Sequence, residues 1–247
     1  ENPSYTIFRK ELSEEESNLI LEVLNTIGQF DGLAHFEWLD RFRIGLGLKT
    51  RPRIISFSNN PYLQNSNLLG VLFDNISNQV VVQLKYHTFT DKKIKEIVFH
   101  PYLLKQYNSR WYLIGAVTTL PGVKYKSCNE DLTDRFEDII GVTLYENKDV
   151  EHILFWVSNC SKDYVETKPI HGSQCQYKGE YETDFRQKYP QLYGGAFFSI
   201  DCIPNYELIR ELSSFGKDLI VLSPSSIQDD IYNRIKSMLD SYSVVRT

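Results

Sequence analysis

Six side chains that could bind an anion or stack on a planar ring fall in the middle of this 247-residue chain. They are three tyrosines, one histidine and two arginines: Tyr86, Tyr102, Tyr112, His100, Arg110 and Arg135. An arginine guanidinium can donate two parallel hydrogen bonds to a phosphate, whereas tyrosine and histidine rings can stack on a base. This mixture of side chains predicts a binding site for a nucleotide or a single-stranded nucleic acid.

A predicted strand with the sequence RWYLIG, residues 110–115, positions two of these side chains. Asn108-Ser109 comes directly before it and separates two strand-like runs, so we expect a hairpin to lead into this strand. Because side chains alternate along a strand, Arg110 and Tyr112 share one face, and the tryptophan and leucine of the segment share the other. One face can therefore pack into a core while the other presents polar groups to a ligand.

Five segments between residues 80 and 144 have the short length and apolar composition of β-strands, each ended by turn residues. They are Val80–Leu84, Ile94–Phe99, Arg110–Thr118, Lys124–Leu132 and Ile139–Leu144. An apolar run ending at Phe73 and a polar turn over Asn75–Asn78 precede the first of them. Strands at this spacing are typical of a small closed barrel, which we predict over residues 61–148.

This middle part of the chain resembles the WYL domain family, named for the Trp-Tyr-Leu triplet that stands here at 111–113. His100-Pro101-Tyr102 is similar to the family's strand-ending proline motif, and Asp134-Arg135 is similar to its closing element. WYL domains are Sm-like small β-barrels, so the resemblance implies that fold. It also implies ligand contact at Tyr86, His100, Arg110 and Arg135.

Arg135 has a second interpretation that the sequence leaves open. Asp131 and Asp138 lie close to it in the chain, and either could form a surface ion pair with its guanidinium. Such pairs are common on protein surfaces, so this structural role and the ligand-binding role are equally consistent with the sequence.

Strand-like and helix-like segments alternate over residues 149–247. HILFWV, YKGEYET, AFFSIDCI and DLIVL are interpreted as strands. Asn205 is the predicted N-cap of one helix, and Ser223 the predicted N-cap of another with Pro224 at its first position. Interleaved elements of this kind predict an α+β sandwich of the ferredoxin-like type. The same region resembles the extension domain that often follows a WYL barrel.

The first 60 residues are predicted to be a helical linker segment. Ser13 and Glu16 have the spacing of a capping box ahead of one helix, and a second helix is expected over residues 33–44. Transcription regulators of the WYL family usually carry an N-terminal winged helix-turn-helix. The residues ahead of the first helix are too few to form one, so we expect this DNA-binding domain to be absent from the chain.

The composition and the motifs point away from several classes of protein. A net charge of −5 argues against a broad basic surface for duplex DNA. No phosphate-binding loop, nucleophile elbow or zinc-protease motif is present, so we expect no enzyme activity and no cofactor. The four cysteines show no Cys-x-x-Cys spacing for a metal. No apolar stretch is long enough for a membrane helix, so a cytoplasmic location is expected.

Two functions follow from these observations. In the first, the chain is the ligand-sensing part of a bacterial WYL-family transcription regulator. It would bind a nucleotide or single-stranded nucleic acid and control DNA binding by the missing N-terminal domain. In the second, it is a structural or dimerising module that binds another protein and no small ligand. A homodimer is expected in the first case, because regulators that read palindromic DNA are usually two-fold symmetric.

Overall fold

The structure is a computed structural model. It describes residues 13–27, 60, 62–118, 122–129, 131–145 and 147–246. The chain divides into two compact units, Glu1–Cys128 and Asn129–Thr247. Both units combine helices with an antiparallel sheet, which confirms the predicted α+β class. The helix expected over residues 33–44 lies outside the described residues, and the domain limits after residues 60 and 148 stay predictions.

Helix α1 (Glu14–Ile27) begins with the predicted capping box. The Glu16 backbone N–H donates to Ser13 Oγ at 3.1 Å, and the Ser13 backbone N–H donates to Glu16 Oε2 at 2.9 Å. The first N–H groups of a helix have no partner inside the helix, so these two bonds stabilise its start. The sequence therefore fixes where α1 begins.

The described residues of the first unit also form a second helix and a three-stranded antiparallel sheet. These elements are α2 (Leu68–Ser77), β1 (Val82–Tyr86), β2 (Lys95–Tyr107) and β3 (Arg110–Thr118), and the strand order is β1-β2-β3. The predicted hairpin joins β2 to β3 through Asn108 and Ser109, whose φ angles are 49° and 57°. Positive φ at both central residues is the requirement of a type I′ turn, and Asn adopts it readily.

Three local predictions for this part of the chain are wrong. The apolar run before β1 is helical through Ser77, so the turn starts at Asn78 and not at Asn75. The described residues of Lys124–Leu132 and all of Ile139–Leu144 form no strand. Ile139 and Ile140 of the last segment are instead buried in irregular backbone, at only 5% and 9% exposed. A closed Sm-like barrel stays a prediction.

The sheet of the first unit is strongly curled. Strand β2 has 13 residues, which would span about 40 Å if straight. Phe89 follows β1 at one end of the sheet, and Arg110 starts β3 at the other end, yet the Arg110 Cζ lies 5.6 Å from the centre of the Phe89 ring. The register shift between Pro101 and Leu103 is a bulge in the middle of β2, and bulges bend strands. The bulge thus accounts for at least part of the curl.

The second unit alternates strands and helices. In chain order they are β4 (Glu151–Val157), α3 (Lys162–Thr167), β5 (Cys175–Tyr177), α4 (Glu180–Lys188), β6 (Ala196–Cys202), α5 (Tyr206–Ser214), β7 (Leu219–Ser223) and α6 (Ser225–Val245). The strand order is β5-β6-β4-β7, and every neighbouring pair is antiparallel. The second strand of the unit thus lies beside the third, the third beside the first, and the first beside the fourth. This is the predicted ferredoxin-like arrangement.

One face of this second sheet forms the main hydrophobic core. Phe155 of β4 and Phe198 of β6 stack with ring centres 5.8 Å apart, and both rings are almost fully buried. Leu208 of α5 and Ile227 of α6 pack into the same core. The predicted N-cap of α5 is confirmed, because Asn205 Oδ1 accepts from the Leu208 N–H at 2.8 Å.

Two predictions in the second unit are wrong. The YKGEYET segment forms a strand only at Tyr177, and from Glu180 onward it belongs to helix α4. The N-cap of α6 is Pro224 and not Ser223. Ser223 instead ends β7, where it pairs with Leu154 of the neighbouring strand. Across the described part of the chain, no helix has the length and apolar composition needed to cross a membrane.

Candidate ligand-binding groove

The register of the first sheet assigns three of the predicted site residues to one face. Arg110 is opposite Tyr107, Tyr112 is opposite Lys105, and His100 is opposite Ala116. Directly opposite residues share a face, and side chains alternate along β3. Arg110, Tyr112 and His100 therefore belong to the same face of the sheet.

Tyr86 belongs to the other face. It is opposite Lys95 at the end of β1, and continuing the alternation through β2 and β3 brings Tyr86 onto the face of Trp111 and Leu113. Its side chain is 42% exposed. The six residues predicted from the sequence therefore do not form one continuous surface.

His100 and Tyr102 belong to a packed aromatic cluster around Tyr125. The Tyr125 ring lies edge-on to His100 at 5.7 Å and to Tyr102 at 6.0 Å, and its hydroxyl donates to the Pro101 carbonyl at 2.6 Å. His100 is 3% exposed, and its Nδ1 accepts from the Lys126 N–H at 3.2 Å. Burial raises the pKa of both the Tyr102 and the Tyr125 hydroxyl. This cluster stabilises the bulged part of β2.

Arg135 lies in the second unit, in a 3₁₀ helix over Asp134–Phe136. It thus belongs to a different unit from the five other predicted residues. The carboxylate of Asp131, one of its two suggested partners, accepts hydrogen bonds from the backbone N–H and the hydroxyl of Thr133. These bonds lower the pKa of Asp131.

A groove of about 580 Å³ lies beside the start of β3. Leu104 of β2 and residues 110–113 of β3 line it, together with Leu69 and Leu72 of α2. The groove walls also include Phe89 and the polar segment that precedes α2: Asn60, Tyr62, Gln64, Asn65 and Ser66. The groove therefore combines an apolar lining with polar groups and one arginine.

Arg110 is the charged group among the described residues that line this groove. Its guanidinium lies over the Phe89 ring at a cation–π distance, 5.6 Å from the ring centre. A guanidinium stacked on a ring keeps its N–H donors at its edge, where an anion can approach in the plane. The groove can therefore hold an apolar or planar group and bind an anionic group beside it.

The sequence interpretation missed two aromatic residues that complete these environments. Phe89 lies in a polar loop after β1, and only its contact with Arg110 marks it as part of the groove. Tyr125 links His100 to Tyr102 from a segment that was predicted to be a strand. A lone aromatic residue in a polar loop is a usable signal for Phe89. Nothing in the local pattern indicates the partners of Tyr125.

No group of three or more histidine, cysteine, aspartate or glutamate side chains that could hold a metal ion occurs within the described ranges. Of the four cysteines, Cys202 is buried, Cys128 is half-buried, and Cys160 and Cys175 are exposed. Burial raises the pKa of the Cys202 thiol to about 12.

Comparison with known proteins bears on this first unit. A family model described as "WYL domain" matches residues 67–119, from the start of α2 to the end of β3. No curated protein matches the sequence. Among solved structures, the chain is similar to "Proteasome accessory factor B/C (PafBC) of Arthrobacter aurescens", with 12% sequence identity and a TM-score of 0.30. The match covers 91% of this chain and 34% of that chain, so this chain spans about a third of its length. Residues 67–119 of this chain thus match the WYL domain family.

Proposed function

We propose that this chain is the ligand-sensing part of a WYL-family transcription regulator. In this proposal the groove of the first unit binds a nucleotide or a short single-stranded nucleic acid. A DNA-binding domain outside the given sequence would respond to the bound ligand. The family match to the segment that lines the groove supports the regulatory role.

The position of Arg110 carries the proposal. A volume of about 580 Å³ falls in the usual range of small-molecule sites, about 300 to 1,000 Å³. Leu69, Leu104 and Leu113 offer apolar lining for a base, and Arg110 offers a cation for a phosphate in the same groove. A nucleotide has the same two parts, a planar base and an anionic phosphate, held a few ångströms apart.

The charge of the groove favours a short ligand over a long duplex. One cation lines it among the described residues, whereas non-specific duplex binding relies on many phosphate contacts. Hydroxyl groups of Tyr62 and Tyr112 add neutral hydrogen-bonding capacity. His100 and Tyr102 would then act indirectly, by holding the bulge that curls the sheet, while Tyr86 and Arg135 stay candidates for ligand contact.

Fluorescence anisotropy on labelled mononucleotides and short single strands tests the proposal with Arg110→Ala. A charge-assisted hydrogen bond is worth about 1.5 to 3 kcal/mol, so the variant should bind at least about tenfold more weakly. The log-log slope of affinity against salt should become shallower by about 0.7 when one phosphate contact is lost. The thermal stability should change little, because Arg110 is exposed.

Lys85→Ala is a matched control, because it also removes one positive charge from the same sheet. Lys85 forms a surface ion pair with Glu96 at 2.8 Å, and it does not line the groove. This variant should bind like the wild type, apart from a small general effect of charge. If no ligand binds the wild type, or if both variants bind with equal affinity and equal salt slope, the proposal is wrong.

A second candidate function, a dimerising module, is favoured by helix α6. Its apolar stripe is buried at Ile227 but continues into the last turns, where Ile235, Met238 and Tyr242 are each more than half exposed. Exposed apolar stripes of this length often mark contact surfaces. A second copy of this chain is the partner we propose, which also agrees with a homodimeric regulator.

Sedimentation velocity at several concentrations distinguishes this candidate from a monomer. The wild type should sediment as a dimer, and Met238→Glu should sediment as a monomer, because a charge in an apolar contact is costly. Tyr232→Glu is the control, since Tyr232 is equally exposed but lies away from the stripe. A monomeric wild type at all concentrations would contradict self-association through α6.

A further inference from the structure

We infer that the second unit carries its own binding site for a small phosphate monoester, in a cavity between the start of α5 and the middle of α6. The cavity has a volume of about 290 Å³. Two cations line it, Lys148 and Arg234, together with two tyrosines, Tyr145 and Tyr206. This site does not depend on the groove of the first unit.

Both cations keep hydrogen-bond donors available for a ligand. Arg234 stacks over the Tyr206 ring at 5.8 Å, and within the described part of the chain no carboxylate comes within ion-pair distance of it. Lys148 lies 4.8 Å from the centre of the Tyr145 ring and donates one bond, at 3.2 Å, to the Pro204 carbonyl. An ammonium has three donors and a guanidinium five, so most of them are left for an anion.

The floor of the cavity is fixed by Asn205, which is 3% exposed. Its Nδ2 donates to the carbonyls of Ile140 and Thr143 at 2.8 and 3.0 Å, while its Oδ1 accepts from the Leu208 N–H. These bonds use the hydrogen-bonding groups of the side chain, so Asn205 positions the chain around the cavity and is not itself a ligand contact. The aligned peptide dipoles of α5 also favour an anion at this end of the helix.

The ligand class follows from charge and size. Two cations that face one cavity suit a doubly charged phosphate monoester better than a singly charged carboxylate. The cavity volume is at the lower limit of usual ligand sites, so a large ligand is excluded. The tyrosine rings can pack against a sugar or another small organic group. Asp230 also lines the cavity, and its carboxylate opposes an anion from one side.

Isothermal titration calorimetry with ribose 5-phosphate tests the site, with ribose as the ligand that lacks only the phosphate. The wild type should bind ribose 5-phosphate and should not bind ribose. Arg234→Ala and Lys148→Ala should each weaken binding about tenfold. Asp230→Asn should tighten binding about two- to fivefold, because it removes the opposing charge. Circular dichroism checks that each variant is folded.

Arg210→Ala is the matched control, because Arg210 is an exposed arginine on the neighbouring α5 that does not line the cavity. It should bind ribose 5-phosphate like the wild type, and so should Arg110→Ala from the groove of the first unit. Absence of binding to the wild type, or equal weakening by Arg210→Ala and Arg234→Ala, would overturn the inference. Neither result would affect the proposed function of the groove, whose ligand is tested with separate variants.

Discussion

The two units use their sheets in different ways. In the second unit, five consecutive residues of β4 and six of the seven residues of β6 are buried, and helices cover the main core. In the first unit, β3 has no fully buried residue, and its side chains line an open groove. The second unit is therefore built as a stable scaffold, while the first leaves aromatic and basic groups accessible to a ligand.

This difference predicts that truncating a large apolar side chain to alanine destabilises the second unit more than the first. Phe155→Ala should reduce the free energy of unfolding of the second unit by about 3 to 5 kcal/mol, because its ring is completely buried. Leu113→Ala should reduce the stability of the first unit by only about 1 to 2 kcal/mol, since the leucine is half-buried. Urea denaturation followed by circular dichroism measures both. Equal losses would remove the distinction between a packed unit and an open one.

The helix caps of the two units should also differ in strength. Asn205→Ala should cost about 2 to 3 kcal/mol, because it removes the cap of α5 and takes the Asn205 donor from the buried Ile140 carbonyl and the half-buried Thr143 carbonyl. Ser13→Ala should cost about 0.5 to 1 kcal/mol, since its capping box is exposed to water. The midpoints of thermal unfolding give the comparison. A larger loss of stability for Ser13→Ala than for Asn205→Ala would show that burial does not decide how much these caps stabilise the protein.

The first unit has one position where close packing is strict. A Cβ on Gly115 would lie 2.1 Å from the His100 carbonyl oxygen and 2.5 Å from the Phe99 ring. Gly115→Ala should therefore destabilise the first unit by about 1 to 3 kcal/mol. Gly172→Ala is the control, because nothing lies within 4 Å of the added Cβ and the change should stay within about 0.5 kcal/mol. A neutral Gly115→Ala would contradict the close contact between β2 and β3.

Local signals in the sequence were reliable where one or two residues decide the structure. The capping box at Ser13, the N-cap at Asn205 and the hairpin at Asn108-Ser109 were all predicted at the right residues. In each case the side chain or the allowed φ angle acts on the adjacent backbone. Interactions of this kind need no distant partner, but distant pairing can override them, as at Ser223, which pairs with Leu154 instead of capping α6.

Predictions failed where tertiary packing decides. The first turn of helix α4 was interpreted as part of a strand, although Tyr181 and Phe185 follow each other at helical spacing. Phe185 packs on Tyr177 of β5 with ring centres 5.0 Å apart. The helical spacing can be seen in the sequence, but a short amphipathic segment fits both the helical period of 3.6 residues and the strand period of 2 residues. Ile139 and Ile140 were interpreted as part of a strand. They are buried in irregular backbone, and such burial leaves no periodic pattern of apolar residues by which the sequence could reveal it.

The candidate site was predicted in part. The alternation of side chains along a strand correctly assigned Arg110 and Tyr112 to one face of β3, because this alternation is a local property of strands. The placement of Tyr86 and the contact of Phe89 with Arg110 depend on the register and on the bulge in β2. Neither feature has a local sequence rule, so the extent of the groove could not be derived from the sequence.

Amide hydrogen–deuterium exchange of this chain, with and without the single strand that binds best, tests the central claim most directly. The claim is that the open groove of the first unit binds this ligand and that the packed core of the second unit does not. The ligand should raise protection at the residues that line the groove. The same experiment on Arg110→Ala at equal ligand concentration should show less protection. Protection confined to the second unit, with none in the groove segments, would contradict the account.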